Sequence, residues 1–408
     1  MRPRRCRGAG FCWAVQRVGL EGILGVRVAW DGHSVQEVEI ASSRPVEACH
    51  VFHGKPVEQA VDLLPLLYTV CKTAQSVAAV AACQQACGVT AAVSVWRLRQ
   101  RLVLAEIAQE YLWRFTLDWP QATGEPPDMH ADAKEYAALR QKLGGILQPM
   151  LADAGWRTMA VSENDPQDEA WDAYCAALTD YAEREIFGMP ARIWSEFDSI
   201  DALQAWSRSA PTAMARVIGM LLREDAERRD GNAVALMPAA QELAQASEML
   251  AADADFVRHP HWCGQVLETG ALARMQAHPL VRAVLGQGRR VLARVVARLL
   301  ELAALPQRIR DATGAREAVV ASVPGVGKAW VETARGLLLH RVEIAAGQVS
   351  RYQVLAPTEW NFHPRGALAQ ALTGMRAETE ATLREKIAQA MLALDPCVGY
   401  ELRVVRHA

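Results

Sequence analysis

The chain has 408 residues, 44 Lys+Arg against 46 Asp+Glu, with 51% hydrophobic and 22% charged residues. A net charge of −2 excludes nucleic-acid binding through a generally basic surface, and it excludes a highly charged disordered chain. No apolar run reaches ~18–20 residues without a charge, so no membrane insertion is expected, and the length is ample for a packed core.

Residues 1–17 read as a basic tail rather than an export signal, because Arg17 and Glu21 leave no clean apolar stretch. A β-hairpin is expected over 18–45, where Val26, Val28 and Trp30 alternate, Asp31-Gly32 turns the chain, and Val38 and Ile40 resume. From Pro56 the period becomes helical. Val57, Val61, Leu64 and Tyr68 mark one face, and an alanine-rich stretch from Thr73 to Cys87 runs to Gly88. The next helix is expected to start after a Ser94 cap and to end before Trp119-Pro120. Further helices are expected over 132–152, 168–186, 200–226, 236–253 and about 279–305, which completes a helical middle from 56 to 305.

The C-terminal part, 320–408, mixes strands with a helix. Val342, Ile344, Tyr352 and Val354 flank a turn at Ala345–Gln348. A helix carrying Leu383, Ile387, Met391 and Leu394 then stops at Asp395-Pro396, and Tyr400, Leu402 and Val404 form a closing strand. The expected fold is α+β and predominantly helical, a single domain over 18–408 whose termini meet in space.

The nine cysteines are Cys6, Cys12, Cys49, Cys71, Cys83, Cys87, Cys175, Cys263 and Cys397. Their number is odd, their spacing irregular, and no C-x-x-C pair occurs, which excludes a disulfide scaffold, a zinc ribbon and a thioredoxin-type motif. A reduced, cytoplasmic protein is expected. Ser322–Lys328 imitates a phosphate loop but lacks its first glycine and its final hydroxyl, because Ala329 follows the lysine. His259, His261 and Cys263 stand close together, yet a short loop containing Pro260 cannot easily close a tetrahedral site alone. Cys83 and Cys87 share a helical face at i, i+4, where small buried thiols are the ordinary explanation.

Two cysteines have distinctive settings. Cys71 stands where the alanine-rich helix begins, so the helix dipole and Lys72 are expected to favour its thiolate. Cys397 follows Asp395-Pro396 at the end of a helix and is presented from a turn. Around them run, in order, Leu20-Glu21-Gly22, Thr69-Val70-Cys71, Leu267–Arg274 with Glu268 and Gly270, Glu332–Gly336, Ala356–Asn361 and Asp395-Pro396-Cys397. This series resembles the large subunit of nickel–iron hydrogenases over about 18–400.

The departures from that family are informative. The resemblance implies two C-x-x-C pairs holding a nickel–iron centre, and here each keeps only its first cysteine. Ala74 and Tyr400 stand where the bridging cysteines belong, and Arg403 stands where a histidine marks the maturation cleavage. Two thiolates cannot both bridge two metals and satisfy nickel, but they suffice for a single iron with other ligands. By the same resemblance, Arg335 corresponds to the arginine over the metal site, and Pro357 and Thr358 to the segment lining the cyanide pocket. Glu21 matches a proton-moving glutamate, but Ile23 replaces the histidine of that element, so Glu21 reads as structural.

This combination is similar to the HupK/HoxV family of hydrogenase assembly proteins. Membership implies a non-catalytic maturation scaffold that holds or transfers an Fe(CN)2CO unit, without nickel. Cys71 and Cys397 would be the metal ligands, with Arg335, Pro357 and Thr358 around the diatomics. The implied partners are the hydrogenase large-subunit precursor and other maturation proteins. Two alternatives remain at this level: a metal-free structural component of a redox complex, or an enzyme with an altered metal site that recruits His261 or Cys263.

Overall fold

A computed structural model describes residues 22–68, 70–124, 130–159, 168–224, 234–238, 244–253, 255–314 and 323–406. The tail over 1–17 lies outside the described residues, as do Leu20, Glu21, Thr69 and Ser322. The N-terminal hairpin forms as expected from β1 (Leu24–Trp30) and β2 (Val35–Ser42). Its turn is held by the Asp31 carboxylate, which accepts the backbone N–H groups of His33 and Ser34 at 2.7 Å.

From there the chain runs through α1 (Val57–Leu67), α2 (Lys72–Ala86), α3 (Val93–Trp113) and α4 (Trp119–Ala122). Next come α5 (His130–Ala152), α6 (Asp168–Tyr181), α7 (Ala191–Trp194), α8 (Ile200–Ser209) and α9 (Ala213–Glu224). The two-residue strands β3 (Ala235–Leu236) and β4 (Leu267–Glu268) pair in parallel, with α10 (Ala244–Ala252) between them in sequence. Short α11 (Ala271–Arg274) and α12 (Pro279–Gly286) lead into the long α13 (Arg290–Arg310). A three-stranded antiparallel sheet follows, made of β5 (Val326–Thr333), β6 (Gly336–Ala345) and β7 (Gln348–Leu355). Finally α14 (Pro357–Asn361), α15 (Ala367–Leu372) and α16 (Glu380–Leu394) precede β8 (Tyr400–Arg406). Strand β8 pairs in parallel with β1, in the order β2-β1-β8, so the two ends of the chain do meet.

Several helices differ from their expected limits, and the backbone explains each case. Helix α3 begins one residue before Ser94, with Ala92 at its cap and no side-chain capping bond. A π-helical turn over Arg114–Asp118 carries it into α4, so it does not end before Trp119-Pro120. Pro120 has no N–H to give to the preceding turn, and the wider π-turn, in which the Trp119 N–H reaches the Arg114 carbonyl, carries the chain past it. A second π-turn over Ala182–Phe187 extends α6, and left-handed Gly188 ends it. The stretch 200–226 is two helices, because Pro211 forces Ala210 into extended backbone. Residues 235–236 are strand rather than helix, and the 279–305 stripe is divided between α12 and α13 around Gly288 at φ 73°.

The centre of the molecule is α2 laid against β5 and β6. Ala74, Ala78, Ala79 and Ala82 are buried and small enough to let a strand approach the helix backbone. Strand β5 was not expected, and it explains the phosphate-loop imitation. A Cβ on Gly327 would lie 1.8 Å from the Ala82 carbonyl oxygen, so this glycine permits helix–strand contact. The Lys328 backbone N–H donates to Gln85 Oε1 at 2.6 Å, while its ammonium pairs with Glu248.

Candidate functional site

Arg335 occupies the tight turn between β5 and β6, and motifs far apart in the chain converge on its backbone. Asn361 accepts the Thr269 N–H at 2.9 Å and donates through Nδ2 to the carbonyls of Thr269 (3.2 Å) and Arg335 (3.3 Å). Gly270, at φ 120°, lies so close that a Cβ would meet the Arg335 carbonyl oxygen at 3.1 Å. Gly336, at φ 135°, packs against Thr269, whose hydroxyl accepts the Leu337 N–H at 3.0 Å. Glu268 accepts from Arg290 and Arg294 at 3.0 and 2.8 Å, anchoring this segment to α13.

The Arg335 side chain is 4% exposed, and both of its terminal nitrogens are bonded. Nη1 donates to Cys71 Sγ at 3.1 Å; Nη2 donates to Glu110 Oε2 at 2.8 Å and lies 3.4 Å from Asp395 Oδ1. Asp395 is also bonded by Arg114 at 2.7 Å. Burial works against the Arg335 charge, but Asp395, Cys71 and Glu110 outweigh it and hold its pKa above the ordinary arginine value. Burial likewise opposes the Asp395 charge, and the surrounding arginines Arg335, Arg114 and Arg298 keep its carboxyl below the usual range.

Cys71 stands at the head of α2 in left-handed backbone, φ 56°. The expected thiolate preference is not found there. Glu106 already occupies the helix N-terminus, accepting the N–H groups of Thr73 at 2.7 Å and Ala74 at 3.0 Å. Burial pushes the Cys71 thiol up to about 12, against the pull of Arg335. Cys397 is presented from the turn after α16, where Asp395 is left-handed at φ 57°. Its Sγ is 3.1 Å from Thr358 Oγ1 on the first turn of α14, which Pro357 starts.

Cys71, Arg335, Pro357, Thr358 and Cys397 all line one cavity of about 320 Å³. Exposed Leu66 is part of its wall, so the cavity reaches solvent. Two further charged residues in that wall were not singled out from sequence. Arg44, from the segment after β2, pairs with Glu359 of α14, the residue next to Thr358. Burial disfavours the Arg44 charge, but Glu359 raises its pKa above the ordinary value. Among the described residues, Glu359 Oε2 and Arg335 Nε are buried without a hydrogen-bond partner. Adjacency to Thr358 was a usable signal for Glu359; nothing local marked Arg44.

The remaining sequence candidates stand elsewhere. Ala74 is buried in the first turn of α2, Tyr400 starts β8, and Arg403 lies within β8. Cys83 is buried, whereas Cys87 is exposed. His259 bonds Asp255 through Nδ1 at 3.0 Å and stacks edge-on to His363, and Cys263 is exposed. None of His259, His261 and Cys263 lines the cavity. Among the described residues, no group of three His, Cys, Asp or Glu side chains is placed to hold a metal ion.

The comparisons with known proteins follow the same lines. The nickel-dependent hydrogenase family model matches residues 291–400. The [NiFeSe] hydrogenase of Desulfovibrio vulgaris Hildenborough has the same fold, with a TM-score of 0.64 at 18% identity over 92% of this chain and 98% of that one. The hydrogenase expression/formation protein HupK of Azotobacter vinelandii is 30% identical over 95% of this chain and all of its own length. HoxV of Cupriavidus necator, another hydrogenase expression/formation protein, is 30% identical over 88% of this chain and 91% of its own. The large-subunit fold is therefore present, and the chain belongs to the HupK/HoxV family of hydrogenase expression/formation proteins.

Proposed function

We propose that this protein serves hydrogenase maturation as a non-catalytic carrier, holding an Fe(CN)2CO unit before the unit passes to a nickel–iron hydrogenase large-subunit precursor in the cytoplasm. The observation that carries the reading is that the two cysteines from opposite ends of the chain line one cavity together with Arg335 and Thr358. Cys71 and Cys397 would supply two thiolates to iron as the cargo's protein ligands. Thr358 and Arg335 supply O–H and N–H donors suited to the acceptor nitrogens of cyanide. The names of the relatives, expression/formation proteins rather than hydrogenases, support a maturation role.

Binding iron must release the thiol protons. A carrier that holds its cargo through two ligands instead of four has fewer bonds to break at hand-over. Infrared spectra of anaerobically purified protein test the reading. Cyanide and carbonyl bands are expected in the wild type and lost in Cys71→Ser and Cys397→Ser. Absence of the bands in the wild type, or iron content unchanged by both substitutions, sinks it.

A further inference from the structure

Gln75 stands one helical turn after Cys71, its backbone N–H bonded to the Cys71 carbonyl oxygen at 2.9 Å, and both residues line the cavity. Its side chain ends a buried polar chain. Tyr352 Oη is 2.9 Å from His340 Nδ1, and His340 Nε2 is 2.9 Å from Gln75 Oε1. Burial keeps His340 neutral, so one ring nitrogen donates and the other accepts. Among the described residues the Tyr352 hydroxyl has no other hydrogen-bond partner, and an orphaned buried hydroxyl proton is costly. Tyr352 therefore donates to Nδ1, Nε2 carries the ring proton, and Gln75 turns its amide oxygen to His340.

The amide nitrogen is left over. Among the described residues Gln75 Nε2 has no hydrogen-bond partner, and it is not sealed from solvent. Residues 74–86 of α2 are all buried, so the small surface that Gln75 keeps opens on the cavity it lines. Holding His340 needs only the oxygen, and the N–H groups face the occupant with their orientation fixed from behind. Both terminal nitrogens of Arg335 are already bonded to Cys71 and Glu110, so a neutral amide adds donors without loosening that network. We propose that Gln75 is a cargo-binding residue whose Nε2 donates a hydrogen bond to a cyanide nitrogen of the iron unit. It serves the Cys71 side of the cavity as Thr358 serves the Cys397 side. The inference rests on the carrier reading above and adds a residue that reading does not use.

The test compares infrared spectra of wild type and Gln75→Met, both purified anaerobically as full chains from cells that make the hydrogenase. Methionine keeps the unbranched length and suits a helix but donates nothing. A donor at a cyanide nitrogen stiffens the C–N bond, so its loss is expected to move a cyanide band to lower wavenumber. Loss of iron to a chelator is expected to become about tenfold faster, as for one hydrogen bond to a charged acceptor removed. A residue that only supports His340 would change stability and leave the bands in place. Cyanide bands at the same wavenumbers in both proteins therefore overturn the inference, whatever happens to stability. If the variant does not fold, a crystal structure of the loaded wild type decides, with a diatomic ligand's outer atom expected within ~3.2 Å of Gln75 Nε2. No such atom overturns the inference while leaving the carrier intact. No cyanide or carbonyl bands in the wild type overturns the carrier and the inference with it.

Discussion

Replacing Arg335 by alanine puts the buried charge network to a quantitative test. The substitution removes the Nη2 contacts to Glu110 and Asp395 and the Nη1 contact to Cys71. Breaking one side of a buried ion pair costs roughly 3–5 kcal/mol, because the other charge is left uncompensated. Asp395 keeps its 2.7 Å bond to Arg114, and the Glu110 side chain is 30% exposed and screened by water, so the low end applies: about 3 kcal/mol. Arg335→Lys keeps the charge but not the planar fork and is expected to cost about 1–2 kcal/mol. Urea unfolding at constant m-value measures both, and double-mutant cycles apportion the loss. Coupling to Asp395 should exceed coupling to Glu110. An alanine variant within 0.5 kcal/mol of wild type, or the reverse order of couplings, refutes the buried-network argument.

Three further outcomes are expected. Gly327→Ala places a Cβ 1.8 Å from the Ala82 carbonyl oxygen, so neither backbone can yield cheaply; a loss of about 3 kcal/mol or failure to fold is expected, and unchanged urea midpoints would remove the close α2–β5 contact from the account. His340 is fully buried between Gln75 and Tyr352, and burial pushes its pKa down to about 3. Its folded value lies below the unfolded value of about 6.5, so the stability it contributes is present above pH 6.5 and is lost as pH falls toward 3. Between pH 7 and pH 5 this group should account for a loss of about 2 kcal/mol, which urea titrations of His340→Gln should no longer show. Thr358→Val removes the hydroxyl beside Cys397 while nearly conserving volume, so stability should change by less than about 1 kcal/mol while the cyanide bands move; bands left in place would take Thr358 out of the ligand pocket.

Local signals accounted for the elements that local physics governs. The N-terminal hairpin followed its Asp31-Gly32 turn, and α16 followed its apolar stripe to the Asp395-Pro396 stop. Where Pro211 and Gly288 cut through unbroken apolar spacing, periodicity favoured one long helix and the backbone made two. Strand β5 escaped notice because its burial comes from small residues of α2, a partner that the strand's own pattern does not name. The site shows the same division. Cys71, Arg335, Thr358 and Cys397 were legible because motifs surround them. The Arg44–Glu359 pair joins residues 315 apart in sequence, and no short-range pattern encodes such a pairing. The Glu106 carboxylate over the α2 N-terminus was hidden for the same reason, and it adds to the burial that pushes the Cys71 thiol up.

The parallel pairing of β8 with β1 has a consequence for synthesis. Leu24 emerges from the ribosome early and Tyr400, its register partner, only near the end. At ~5–20 residues per second, β1 and Cys71 wait tens of seconds before Cys397 and its strand exist. During that interval the nascent chain offers one thiol and an unpaired sheet edge, and it has no closed receptacle. On the carrier function proposed above, loading is thereby reserved for chains in which β8 has joined β1, with that strand acting as a check on everything translated before it.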